Sequence, residues 1–201
     1  MKKVLTTPVS RAELEELSIG DVIYLSGKIT TCRDVAHRRV VEYGQALPVD
    51  VREGAILHAG PIIRAQNGGY EMISVGPTTS MRMEKFEKEF IQQTGVRVIV
   101  GKGGMGPETA GACREYGAIH CVFPAGCAVV AAFEVEKIED AQWLELGMPE
   151  TLWTCCIHEF GPLIVSIDAK GRNLFEENRR EFERRKEKVY QELCPHFRLI
   201  R

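Results

Sequence analysis

At 201 residues and 44% hydrophobic content, the chain can bury one sizeable core, and its length calls for no more than a single domain over 1–201. A formal net charge of −2 excludes the general cationic field that neutralises phosphates, so nucleic acid is not an expected partner and any cationic site must be local. The opening MKKVLTTPVSRAELEEL has no apolar stretch after its lysines, and no later segment reads as a membrane span, so the expected location is the cytoplasm.

In chain order, Ser10-Arg11-Ala12-Glu13 has the form of a capping box and predicts a short helix to Leu17, ended by Gly20. A β-rich run follows over Asp21 to Thr30. Asp34 then reads as the cap of a helix through Tyr43, with Arg33 at its entrance and His37 one turn in. Ala55 to His58 and Tyr70 to Val75 read as short strands. The second leads through Gly76-Pro77-Thr78-Thr79-Ser80 into a helix that carries Met81, Phe86 and Phe90 and ends at Gly95.

Val96 to Val100 reads as a strand, Gly101 to Gly106 as a glycine loop and Pro107 as a first-turn residue of a helix to Tyr116. Ile119 to Phe123 repeats the strand pattern, and a small-residue helix runs to Ala132. Strands are expected near Ala141 to Leu144, Leu152 to His158 and Leu163 to Asp168, and a charged helix from Leu174 to Leu193. That helix (about 173–193) is mostly polar, which suits a solvated face or a docking element. The sum is an α/β domain with a mixed sheet.

Three features bear on chemistry. Gly101-Lys102-Gly103-Gly104-Met105-Gly106 fits the dinucleotide-binding glycine pattern, but Ile119-His120-Cys121-Val122-Phe123-Pro124 lacks the acidic residue a ribose needs. Backbone donors at a helix start with Lys102 beside them suit a small anion instead. Thr78-Thr79-Ser80-Met81-Arg82 puts hydroxyls at a helix start, with Arg82 one turn from Thr78 on the same face; an ordinary cap with a solvated arginine is the bland alternative. Thr31 to Arg39 adds Arg33 and His37, where Asp34 only caps and a lone histidine is more often structural.

Three loop-to-helix entrances each bearing a cation (Arg33, Arg82 and Lys102) suggest a ligand with two carboxylates, which arginine clamps in bidentate fashion. No Ser-His-Asp set, paired-carboxylate motif or metal cage is visible, so an electrophile must come from elsewhere. The seven cysteines (Cys32, Cys113, Cys121, Cys127, Cys155, Cys156 and Cys194) are scattered, with no C-x-x-C pair, and are expected to be buried or free thiols.

Over nearly its whole length the chain resembles the class I, iron–sulfur-dependent fumarase family of hydro-lyases. The resemblance lies in LTTP, GDVIYLSG, TCRDVAHRR, HAGPI, SVGPTTSMRM, VGKGGMG, FPAGCAV, ELGMPETLW and EFGPLIVSIDAKGRNL. It implies a swivelling β/β/α fold and an active site shared with a second part that holds a [4Fe–4S] cluster through three cysteines. In members split into subunits, that part is a separate α subunit, here expected in an α2β2 assembly, and this chain alone would be inactive.

Carried over residue by residue, Thr78 matches the proposed base that removes the proton α to a carboxylate, and Arg33, Arg82 and Lys102 match carboxylate-binding positions. His37 matches the histidine of the R-D-x-x-H segment and is a second acid–base candidate. The base is Thr78, His37 or a partner residue. The TSMRM, GKGGMG, FPAGCAV and MPETLW variants incline the resemblance to the branch that dehydrates L-tartrate to oxaloacetate. The malate/fumarate reaction and a non-catalytic dicarboxylate-binding module are the alternatives.

Overall fold

Short apolar runs that alternate between two buried faces build the centre of the molecule. The computed structural model describes residues 3–66 and 68–193, so Cys194 lies outside the described residues. In β3 (Ala55–Leu57) and β6 (Val98–Gly101), Ala55, Leu57, Val98 and Val100 point into one core, while Ile56 and Ile99 point into another. Such double burial is what parallel strands covered on both faces require.

A seven-stranded sheet runs in the order β1-β2-β3-β6-β7-β9-β8, from β1 (Lys3–Thr6), β2 (Val22–Thr31), β7 (Ile119–Val122), β8 (Val135–Gln142) and β9 (Leu152–Ile167) with the two strands above. The pairs β1–β2, β2–β3, β3–β6 and β6–β7 are parallel, and β9 is antiparallel to β7, β8 and β2. Through β9 the pairing closes from β7 back to β2, and Ile23, Leu25, Ile29, Phe160, Leu163 and Val165 fill the enclosed core. The second core lies under α2 (Asp34–Val41), α3 (Glu84–Thr94) and α4 (Pro107–Tyr116), where Met83, Phe90, Ile91, Ala112 and Cys113 are buried. A two-stranded hairpin, β4 (Ile62–Gln66) and β5 (Gly69–Ser74), stands apart from the main sheet.

The mixed α/β class is as expected. The Ser10–Glu13 capping box forms and opens α1 (Arg11–Glu15). Gly95 ends α3 and Gly117 ends α4 with φ of 69° and 70°, the left-handed turn that glycine adopts without a Cβ clash. Other expectations need correction. The two strands expected on either side of Gly161-Pro162 are one strand, with register shifts against β2 that accommodate the irregular stretch. β8 is an edge strand that starts well before Ala141; its charged, exposed residues hide it, since only Ile138 is buried. β4 had no expectation.

Asp34 is not a cap. Arg33 holds the N-cap position without a side-chain hydrogen bond, and the Asp34 carboxylate turns to Arg33 and Arg82. The last helix, α6 (Leu174–Leu193), has no buried residue and displays Phe175, Phe182 and Val189 at seven-residue spacing. No described helix is long and apolar enough to cross a membrane.

Candidate functional site

The parallel strands deliver their following loops to one edge of the sheet, the edge at which open α/β sheets bind ligands. Arg33 follows β2, His58 follows β3 and Lys102 follows β6. The segment that carries Thr78 is stitched between the last two. The Thr78 N–H donates to the His58 carbonyl (2.6 Å), the Lys102 N–H to the Thr78 carbonyl (3.1 Å) and the Ser80 N–H to the Lys102 carbonyl (3.0 Å). Thr79 and Lys102 thus form a parallel bridge, and a 3-10 turn over Ser80–Arg82 leads into α3. Gly101 is required here, because a Cβ would lie 1.9 Å from Ser80 Oγ and 3.1 Å from His58 Nδ1.

Asp34 joins the remaining cations. Arg82 grips it with Nε (2.9 Å) and Nη2 (2.6 Å), while Arg82 Nη1 donates to Thr78 Oγ1 at 3.2 Å. Arg33 Nε lies 3.1 Å from Asp34 Oδ2 and 3.0 Å from Glu150 Oε1. Partial burial pushes the Asp34 carboxyl up, but the Arg33 hydrogen bond and the Arg82 charge outweigh it and hold the group below its ordinary value. Asp34 therefore orients two guanidinium groups and leaves Arg82 Nη1 beside the Thr78 hydroxyl. Arg33, Thr78, Arg82 and Lys102 fall on adjoining loops, as a two-carboxylate ligand would need. Arg38 and Arg39 pair elsewhere, with Glu42 and Glu145.

The glycine loop differs from expectation. Its helix start is already filled by the Glu84 carboxylate, which accepts from the N–H groups of Gly106 (2.7 Å), Glu108 (3.1 Å) and Thr109 (3.3 Å) and from Thr109 Oγ1 (2.6 Å). A Cβ on Gly106 would strike that carboxylate at 2.5 Å. Neither a pyrophosphate nor a free anion has the N-terminus of α4 to itself, so this part of the anion-site expectation is corrected, and Lys102 joins the candidate site through its backbone bonds to Thr78 and Ser80. Glu84→Ala is expected to cost about 2 kcal/mol, from one cap and several charge-assisted hydrogen bonds. Urea unfolding checks it through a lowered midpoint at constant slope, and an unchanged midpoint contradicts it.

His37 lies beneath this layer, fully buried. Its Nδ1 is 3.0 Å from the Arg33 carbonyl and 3.6 Å from Cys32 Sγ, its ring stacks on Phe90 at 4.1 Å, and its Nε2 is 3.4 Å from Glu87 Oε2. His58 Nε2 approaches the same oxygen at 3.3 Å. These donor atoms of His37, His58 and Glu87 lie within 4.8 Å of one another, the one grouping among the described residues that a metal ion could occupy. Of the described cysteines, Cys32, Cys113, Cys121 and Cys155 are buried, and no three of the described thiols converge. The described residues do not fit an iron–sulfur cluster. Sequence reasoning missed Asp34 as a bridge, and it missed Glu84 and Glu87.

The profile of the family described as Fumarase C-terminus matches residues 1–178. The L(+)-tartrate dehydratase subunit beta of Escherichia coli K12 is 56% identical over 201 residues, covering 100% of both chains. A putative L(+)-tartrate dehydratase subunit beta of Methanocaldococcus jannaschii is 40% identical over 186 residues, 90% of this chain and 95% of that one. A putative class I fumarate hydratase of Geobacillus stearothermophilus is 34% identical over 174 residues, 86% of this chain but 33% of that protein. Matches of this extent lead to one statement: the chain belongs to the Fumarase C-terminus family.

Proposed function

We propose that this chain is the β subunit of a heteromeric hydro-lyase that dehydrates L(+)-tartrate to oxaloacetate. The observation that carries the reading is the meeting of Arg33, Arg82 and Lys102 around Thr78 on adjoining loops. Full-length similarity to tartrate dehydratase β subunits supports tartrate over malate or fumarate. We assign the closed sheet with its outer helices to the swivelling β/β/α class, and residues 1–201 to one domain acting in the cytoplasm.

Arg33, Arg82 and Lys102 bind the two carboxylates and hold the α C–H bond toward Thr78 Oγ1. A threonine hydroxyl is a weak base, and the Arg82 guanidinium at 3.2 Å stabilises the alkoxide it must become. Thr78 first gives its own hydroxyl proton to solvent, its alkoxide then takes the α proton as hydroxide leaves from the neighbouring carbon, and the resulting enol tautomerises to the ketone of oxaloacetate. His37, fully buried, acts on the site through the Arg33 carbonyl; direct contact with substrate would require its ring to leave this position.

Nothing in the described residues takes the departing hydroxyl. We assign that task to an α subunit that carries the [4Fe–4S] cluster, in an α2β2 assembly. Exposed Val129, Val130 and Phe133 on α5 (Ala128–Phe133), together with the apolar stripe of α6, support a docked partner. Substrate choice is tested by incubating the reconstituted pair with L-tartrate and with L-malate. Oxaloacetate from tartrate is the expected product, and faster fumarate formation from malate would move the chain to the fumarases.

A further inference from the structure

Apart from His37, the proposed chemistry uses none of the buried polar chain that runs beneath the site. Seven groups follow one another through the second core. Ser166 Oγ lies 2.6 Å from His120 Nδ1, His120 Nε2 lies 3.0 Å from Ser80 Oγ, and Ser80 Oγ lies 3.1 Å from His58 Nδ1. His58 and His37 then converge on Glu87 Oε2, and His37 ends on the Arg33 carbonyl with Cys32 beside it. His37, His58, Ser80, Glu87, His120 and Ser166 are each 0% exposed. Neither Glu87 oxygen has a well-aligned hydrogen bond, so the two imidazole rings are its only close compensation.

We propose that Glu87 is a positioning residue, whose buried carboxylate holds the rings of His37 and His58 and through them fixes Arg33 and Thr78. The proton arrangement follows from the partners. The Arg33 carbonyl only accepts, so His37 Nδ1 carries a proton; the Nε2 that faces a carboxylate oxygen carries one too, making His37 an imidazolium. A lone carboxylate in this interior would be costly, and one imidazolium neutralises it. His58 stays neutral. Its Nε2 faces Glu87 Oε2 and its Nδ1 faces Ser80 Oγ, which also lies against His120 Nε2, while the Ser166 hydroxyl donates to the His120 carbonyl (3.1 Å) and places its oxygen 2.6 Å from His120 Nδ1. The charge of Glu87 is then balanced by the His37 ring, although neither carboxylate oxygen has a well-aligned hydrogen bond.

The shifts agree with this arrangement. Burial pushes His37 down, but Cys32 and Glu87 outweigh it and hold the ring well above the ordinary imidazole value, whereas burial keeps His58 lowered and His120 at about 3. The mechanical consequence reaches both halves of the site. Arg33 is held through its carbonyl, and Thr78 through its N–H bond to the His58 carbonyl and through Ser80 two residues on.

Ring nitrogen NMR of the full chain tests the arrangement directly. Both His37 nitrogens should remain protonated above the ordinary imidazole pKa of about 6.5, and Glu87→Gln, which keeps the shape and removes the charge, should return the ring to neutral. In the reconstituted pair, Glu87→Gln should lower kcat/KM by about 10- to 100-fold through misplacement of binding groups. Ile91→Val, a buried change on the same helix, should lower stability and leave kcat/KM unchanged. A neutral His37 in the unmodified chain, a stoichiometric metal ion on the three side chains, or unchanged kcat/KM in Glu87→Gln overturns the proposal. The kinetic arm rests on the dehydratase reading, whose own failure shows as an inactive unmodified pair; the NMR arm needs neither substrate nor partner.

Discussion

Arg82→Ala is expected to lower kcat/KM of the reconstituted pair by roughly 10²- to 10³-fold, the size of truncating one partner of a hydrogen-bonded charge pair. Three contacts vanish together: both bonds to Asp34 and the donor to Thr78 Oγ1. The fold should survive, because the Arg82 side chain is 48% exposed and lies outside both cores. The loss should appear in kcat as well as KM, since in the proposed mechanism the guanidinium both binds a carboxylate and stabilises the developing alkoxide. Steady-state kinetics beside a thermal melt checks this. A variant with unchanged kinetics would remove Arg82 from the site, and one that no longer folds would show that the Asp34 bridge is chiefly structural.

Thr78→Ala should be as damaging, by roughly 10²- to 10⁴-fold in kcat, the usual contribution of a positioned acid–base group. KM should change little, because the cations proposed to bind the carboxylates remain. The backbone bonds of Thr78 to His58 and Lys102 do not depend on its side chain, so the loops should keep their places. Thr78→Ser retains the hydroxyl and should recover much of the activity. Equal activity in Thr78→Ala and the unmodified chain would shift the proton abstraction to the partner subunit.

Local signals made much of the fold legible. The Ser10–Glu13 box, the glycine stops after α3 and α4, and the run from Val98 through Tyr116 each needed only short-range chemistry. β8 escaped because an edge strand can be mostly charged. The continuity of β9 escaped because Gly161-Pro162 reads as a break between its two expected halves, although the strand continues through shifted register.

The cation-bearing loops were legible and suggested one shared ligand, but the geometry of their meeting was not. It depends on the parallel register of β2, β3 and β6, which joins segments far apart in sequence. Asp34 was misread because a carboxylate at a helix start suits a cap equally well. For Glu87 a signal existed: it shares a helical face with Met83, Phe90 and Ile91, so its spacing puts a charge on an apolar stripe. Glu84 gave no such sign, since its role depends on α4, which packs against α3 only in the folded chain.

The central claim is that this chain supplies the carboxylate-binding half of a shared active site. The most direct measurement follows oxaloacetate release from L-tartrate by this chain alone, by the proposed cluster-bearing partner alone, and by the two reconstituted together without oxygen. Turnover only in the mixture is the predicted result. Turnover by either chain alone, or tartrate binding by this chain with no turnover in any mixture, would contradict it.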